Sequence, residues 1–244
     1  MSNLVKRILS AIILAPIFIY IIMQGGTAVT LLVAFMFAVM LYEWSMITSK
    51  ANQKILWLLF GFIYLGFGML TFLALTNIRV NFSGLSNFPI FLFVLMGLVW
   101  VNDIFAYIFG KNIGGPKLWP SVSPNKTWAG FIGGITACVG VFFIINYFLT
   151  DFSANTMSDS NFLYALLVHI IVPIVATAGD LFESSIKRKF GVKDSGNIIP
   201  GHGGLLDRFD GVLSVMIVTG LLLMIAFAFK AGEISAINSG AVPL

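Results

Sequence analysis

Charge is scarce in this sequence. Only 10% of its 244 residues are Asp, Glu, Lys or Arg, against about 25% in an ordinary soluble domain, while 59% are apolar and the mean hydropathy is +0.98. That balance excludes a water-soluble fold, and it excludes intrinsic disorder, which needs few apolar residues and much charge. Cysteine is nearly absent too. Cys138 stands alone inside an apolar run, so neither a disulfide framework nor a cysteine-based zinc site can be built. There is no His-Glu-x-x-His pair, no Gly-x-x-x-x-Gly-Lys-Ser/Thr loop and no Gly-x-Ser-x-Gly elbow, so the zinc hydrolases, P-loop enzymes and serine hydrolases lack their signatures. What is abundant is Phe and Gly, 24 of each. That composition suits a polytopic membrane protein whose helices approach one another through small residues.

A span needs about 20 mostly apolar residues. Seven stretches qualify, at about 5–23, 28–47, 55–75, 89–109, 128–149, 162–182 and 211–230. The predicted fold class is therefore all-α, a polytopic integral membrane helical bundle of about seven transmembrane helices. Gln24-Gly25-Gly26 is a turn signal that joins the first two spans in a tight hairpin. Lys6 and Arg7 ahead of an apolar run also suit a signal peptide, but no small-x-small cleavage site follows, so the first helix is read as retained. With the N-terminus in the cytoplasm, the inner segments hold Lys6, Arg7, Lys50, Lys54, Lys111, Lys117, Lys126, Lys187, Arg188, Lys189, Lys193 and Arg208, leaving only Arg79 and Lys230 outside. That asymmetry orients the chain in the cell membrane. It also accounts for the basic pI without a nucleic-acid partner. The chain divides loosely into an N-terminal group of spans (1–88), a region with long inner polar loops at 110–127 and 183–210 (89–231), and a tail (232–244).

Seven of the ten acids fall at or near the inner face: Glu43, Asp103, Asp180, Glu183, Asp194, Asp207 and Asp210. A carboxylate inside an apolar span is expensive and faces a polar cavity or a partner. If the sixth span continues as a helix, Asp180, Glu183, Ser184 and Lys187 share one face. Asp207 and Asp210, three apart at the head of the seventh span, can point the same way, although helix capping by itself explains one of them. Acids converging from two helices are how bundles build divalent sites, and all-oxygen donors favour Mg²⁺. Opposed to a ring of cytoplasmic Lys and Arg, such acids suggest metal ions holding phosphates.

Pro200-Gly201-His202-Gly203-Gly204 reads either as a plain turn or as backbone amides held close to an anion. His202 suits a donor to a phosphate oxygen better than a metal ligand, and His169, in a span without polar neighbours, suits a structural hydrogen bond. Asn102-Asp103 interrupts the fourth span near its inner end. In Ser123-Pro124-Asn125-Lys126-Thr127-Trp128, Pro124 can start the fifth helix, Thr127 can cap it and Trp128 can anchor at the interface. Gly130, Gly133, Gly134 and Gly140 permit close helix contacts, within one chain or in a homodimer.

Together these residues resemble the phosphatidate cytidylyltransferase (CDP-diacylglycerol synthase) family. Its signature, Ser-x-x-Lys-Arg-x4-Lys-Asp-x-Gly-x3-Pro-x-His-Gly-Gly-x2-Asp-Arg-x-Asp, is met at Ser184, Lys187, Arg188, Lys193, Asp194, Gly196, Pro200, His202, Gly203, Gly204, Asp207, Arg208 and Asp210. The family's Asn-Asp-x-Phe-Ala-Tyr and Ser-Pro-x-Lys-Thr-Trp elements also stand at 102–107 and 123–128, with looser agreement at Leu41-Tyr42-Glu43-Trp44. Gly211 occupies a position where a serine is often found. The chain is short for the family, which leaves the span count at seven or eight.

The resemblance implies transfer of the cytidylyl group of CTP to phosphatidate, with Mg²⁺ as cofactor at one or two sites. Asp180 and Asp207 would hold the metal, with Asp210 as a third or outer ligand. Lys187, Lys193, Arg208, Arg188 and His202 would hold phosphate oxygens, with Ser184, Gly203 and Gly204 beside them, and Lys126, Asn102 and Asp103 would complete the pocket. A transporter of a phosphorylated solute is the competing reading, since transporters also carry intramembrane acids. Against it, the polar residues crowd at one face and no internal repeat is visible. A CDP-alcohol phosphotransferase lacks its motif here.

Overall fold

The computed structural model describes residues 3–82, 85–153, 159–198 and 203–238. Among them are seven α-helices: α1 (Asn3–Gln24), α2 (Gly26–Ile47), α3 (Lys54–Asn77), α4 (Ile90–Ile113), α5 (Trp128–Ser153), α6 (Asp159–Lys189) and α7 (Leu206–Asn238). Each coincides with one expected span, and no eighth α-helix is present among the described residues. Six segments, one in each of α2–α7, are long and apolar enough to cross a membrane, whereas the described apolar part of α1, Ile12–Gln24, is shorter. The protein is a polytopic membrane protein. α7 runs on through Asn238, well into the stretch expected to be a tail.

Two short hairpins depart from the all-helical expectation. β1 (Val80–Phe82) pairs with β2 (Leu85–Phe88) between α3 and α4, and β3 (Lys117–Trp119) pairs with β4 (Ser123–Thr127) between α4 and α5. The second hairpin corrects the expectation that Pro124 starts the fifth helix. Pro124 lies inside β4, where a two-stranded ribbon leaves room for a residue without an N–H. Thr127 does cap α5, its Oγ1 accepting from the Gly130 N–H at 3.1 Å.

The outward faces carry large apolar side chains such as Leu31, Phe35, Phe62, Ile63, Phe227 and Phe229, all more than half exposed. Such exposure is stable only against hydrocarbon, where helices also satisfy their own backbone groups. Trp44, Phe72, Met96, Leu206 and Met216 are buried between the helices. α4 packs chiefly on α5, α6 on α7, and α3 on both α2 and α7.

Small residues set the closest approaches. A methyl group on Gly130 would meet the Ala106 carbonyl oxygen, on Gly133 the Phe109 ring, and on Gly134 the Asn102 side chain. These three glycines are therefore consumed by the α4–α5 contact and offer no surface to a homodimer; Gly140 alone of the four has nothing within 4 Å. Gly179 does the same for α6 and α7, where a methyl group would collide with the Ser214 side chain.

The Gln24–Gly26 turn forms as expected, with Gly25 at φ 68°. The guanidinium of Arg79 clamps this turn, donating to Ile22 O at 2.8 Å, Met23 O at 3.0 Å and Thr76 O at 3.0 Å. These are orphan carbonyls at the ends of α1 and α3, which favour a cation. α2, α4 and α6 end, and α3, α5 and α7 begin, at the opposite end of the bundle. The polar side chains of the motif-bearing segments gather there.

Candidate active site

The site is built on the seam between α6 and α7. Asp180, Glu183, Ser184 and Lys187 do lie on one face of α6, as their spacing demands. Ser184 Oγ donates to Asp180 Oδ1 at 3.2 Å. One turn on, Lys187 Nζ stands 3.0 Å from Glu183 Oε1 and reaches across to Asp207 Oδ1 on α7 at 2.7 Å. The second oxygen of Asp180 forms an ion pair with Lys126, presented by β4.

α6 ends in a glycine-based cap. Gly191 adopts φ 72°, its N–H bonds the Arg188 carbonyl, and the Val192 N–H bonds the Lys187 carbonyl. This 5→2 and 6→1 pair is the Schellman arrangement. It turns the chain back so that the following loop passes over the start of α7. There Asp207 accepts the Ser195 N–H at 2.9 Å and the Gly204 N–H at 3.0 Å, both at Oδ2. Gly203, at φ 86°, is held in a conformation that favours glycine.

Asp210 lies within electrostatic reach of Asp180, Glu183 and Lys187, because Gly179 lets the two helix backbones close up beside it. Asp103, from α4, is within reach of Lys126, Asp180 and Arg208. Four segments thus converge: α4, β4, α6 and α7 bring Asp103, Lys126, Asp180, Ser184, Lys187, Asp207, Arg208 and Asp210 to one region.

Other expected residues sit apart. Arg188 faces away and ties the hairpin to the end of α6, donating to Val122 O at 3.3 Å and Val192 O at 3.1 Å. Lys193 is exposed on the loop. Asn102 is buried, and its Nδ2 donates to Thr177 Oγ1 at 3.2 Å. His202, with Pro200 and Gly201, lies outside the described residues. His169 Nδ1 is 2.8 Å from the Ala165 carbonyl oxygen and its ring packs on Phe142, the structural role expected of it.

Three contributors have no site role in the sequence reading, although Glu43 and Glu183 stand among its seven inner-face acids; Tyr64 does not appear in it at all. Glu183 is 1% exposed, and neither of its oxygens receives a well-directed hydrogen bond among the described residues. Its i+3 spacing from Asp180 was the available signal. Tyr64 of α3 bonds Ser214 Oγ at 3.2 Å beneath the acids and is within reach of Glu183 and Asp210. Glu43 of α2 receives hydrogen bonds from the loop and from the first residues of α7. A tyrosine or glutamate in a distant span carries no local mark of such contacts.

The donors offered to a cation are all carboxylate oxygens, drawn from two abutting helices. Two ammonium groups already stand among them, and the buried Glu183 has unmet acceptor capacity. That chemistry fits Mg²⁺, a hard cation that keeps some of its waters and needs few protein ligands. Among the described residues no three such groups are already gathered around one point.

Comparison with known proteins identifies the family. Residues 48–226 match the cytidylyltransferase family. A phosphatidate cytidylyltransferase of Rickettsia bellii is 40% identical over 212 residues, 87% of each chain. The protein of the same name from Rickettsia conorii is 35% identical over 223 residues, 91% of each chain. That of Staphylococcus haemolyticus is 44% identical over 161 residues, 66% of this chain and 56% of its own. With a family match over most of its length and relatives of this identity and coverage, the chain belongs to the cytidylyltransferase family.

Proposed function

We propose that this protein transfers the cytidylyl group of CTP to phosphatidate, giving CDP-diacylglycerol and pyrophosphate, at the α6–α7 seam. The observation that carries the reading is the meeting of Asp180, Glu183, Asp207 and Asp210 with Lys126 and Lys187 on two adjoining membrane helices. Carboxylates and ammonium groups in alternation suit a substrate that arrives with both phosphate oxygens and a counter-cation.

In the reaction an oxygen of the phosphatidate phosphate bonds the α-phosphorus of CTP, and the bond from that phosphorus to the bridging oxygen of pyrophosphate breaks. The attacking oxygen is already anionic near neutral pH, so no strong general base is required. What the chain must supply is alignment and charge neutralisation. Lys126 and Lys187, fixed by their carboxylate partners, and Arg208 and Lys193, exposed at the rim, bind phosphate oxygens; His202 assists, and Arg188 holds the β3–β4 hairpin against the end of α6. The amide of Gly203 approaches closely because the residue carries no side chain, while the Gly204 amide is given to Asp207 and steadies the loop. Asp103 closes the wall opposite α6, and the buried Asn102 ties α4 to α6 beside it through Thr177.

Asp180, Asp207 and Asp210 would hold Mg²⁺, which when bound neutralises and orients the triphosphate. α1 serves as a seventh span, and the polar end faces the cytoplasm; the distribution of Lys and Arg supports that orientation. A water-soluble nucleotide then reaches the site from the cytoplasm, and the lipid reaches it sideways between helices.

The test is direct. Purified protein in detergent with labelled CTP, phosphatidate and Mg²⁺ is expected to yield lipid-borne label and pyrophosphate, and absence of both overturns the reading. Asp180→Asn is expected to abolish turnover and to weaken Mg²⁺ binding measured by titration calorimetry. Full activity with unchanged binding removes Asp180 from the metal site.

A further inference from the structure

Glu43 stands near the end of α2, in the group of helices farthest in sequence from the signature segment. Its side chain is 1% exposed. A buried carboxylate is costly unless its oxygens are met by donors, and the donors to it among the described residues come from one segment. Oε1 accepts the Leu205 N–H at 2.9 Å. Oε2 accepts the Leu206 N–H at 2.8 Å and the Ser195 hydroxyl at 3.3 Å. These partners are 152 to 163 residues away in the chain. The two amides open α7, so the carboxylate also sits where the helix dipole favours an anion.

The segment is shaped around this carboxylate. A methyl group on Gly196 would come 3.0 Å from Glu43 Oε1, and one on Gly204 would come 2.7 Å from the same atom. On its other side the loop is held by Asp207, through the Ser195 and Gly204 amides. Ser195 therefore gives its hydroxyl to one carboxylate and its amide to the other, and the loop is gripped between Glu43 and Asp207. Among the described residues, Glu43 makes no ion pair with Lys126 or Lys187.

We infer that Glu43 is a positioning residue for the transfer reaction: its carboxylate, supplied by α2, holds Ser195 together with Leu205 and Leu206 and so sets where Asp207 and Gly203 meet the nucleotide. The inference rests on the reading of this loop as the phosphate-binding element. A carboxylate is required because three donors point at it. Gln offers one acceptor oxygen and turns an amide NH₂ toward a backbone N–H, whereas Asp keeps both oxygens on a shorter stem.

The experiment compares the full-length Glu43→Gln and Glu43→Asp variants with the unaltered protein, by hydrogen exchange and by steady-state kinetics. In Glu43→Gln the amides of 195–206 are expected to exchange at least tenfold faster while those of α4 and α5 are unchanged. KM for CTP should rise about tenfold, with a smaller change in kcat, and Glu43→Asp should recover part of both losses. Unchanged exchange in 195–206 overturns the inference. So does equal loosening of all helices, or loss of activity with KM unaltered, since either marks a merely structural residue. If the unaltered protein itself makes no CDP-diacylglycerol, the proposed function fails, but the exchange measurement still decides whether Glu43 orders the loop.

Discussion

Lys187 and Asp207, on separate helices and 20 residues apart in sequence, meet at 2.7 Å, and the same ammonium lies 3.0 Å from Glu183. One cation thus holds two carboxylates at the seam between α6 and α7, with side-chain exposures of 8%, 11% and 2% for Lys187, Asp207 and Glu183.

Removing that cation leaves two buried carboxylates facing each other without it. Lys187→Met is expected to destabilise the protein by about 3–5 kcal/mol, the usual cost of stripping one partner from a buried ion pair, and to abolish turnover. Reversible denaturation in mixed micelles measures the first and the CTP assay the second. A variant of unaltered stability would mean that the three groups do not share charge as the geometry indicates.

Lys193 is the contrasting case. It is exposed on the loop, so Lys193→Ala should leave the melting temperature within a degree or two. If it contacts a substrate phosphate, KM for CTP or phosphatidate rises about tenfold, the loss of roughly 1.4 kcal/mol of a charge-assisted hydrogen bond. Unchanged KM for both substrates excludes it from the site.

Gly179 controls how near the two acid-bearing helices come. Its missing methyl group would collide with Ser214 and lie 3.1 Å from the Asp210 carbonyl oxygen. Gly179→Ala should cost about 1–3 kcal/mol by overpacking and lower kcat by spreading Asp180 from Asp210. Adding Ser214→Gly should restore part of the stability; no recovery in the double variant would place the strain elsewhere.

Arg79 lies at the other end of the bundle and its effect should be separable from catalysis. A lysine cannot reproduce three directed bonds from one planar group. Arg79→Lys is expected to lose about 1–3 kcal/mol and to speed hydrogen exchange at the end of α1, with turnover in micelles retained. Loss of turnover at full stability would contradict a purely structural clamp.

Much of the bundle was legible in the chain. Each helix falls on an expected apolar stretch, and the turn at Gly25 ended α1 where the glycines stand. The face formed by Asp180, Glu183, Ser184 and Lys187 was legible because helical periodicity is a local property. Pro124 was misread for the same reason. Its neighbours match a helix start, yet the pairing of Lys117 with Thr127 and Trp119 with Ser123 draws the segment into a strand. The glycines of α5 announced close packing but not its partner, which proved to be α4 of the same chain.

The amino-acid sequence by itself determined that this protein lives in a membrane, that its helices alternate across it, and that its acids and bases collect in a few segments resembling one family. Hydropathy, period and motif spacing are each read over a few dozen neighbouring residues, so they survive without coordinates. Only the tertiary structure decided that Lys126 pairs with Asp180, that Lys187 joins Glu183 to Asp207, and that Glu43 grips a loop more than 150 residues downstream. Those pairings depend on how closely glycine lets one helix approach another and on which buried oxygen finds a donor. Both are settled by packing in three dimensions.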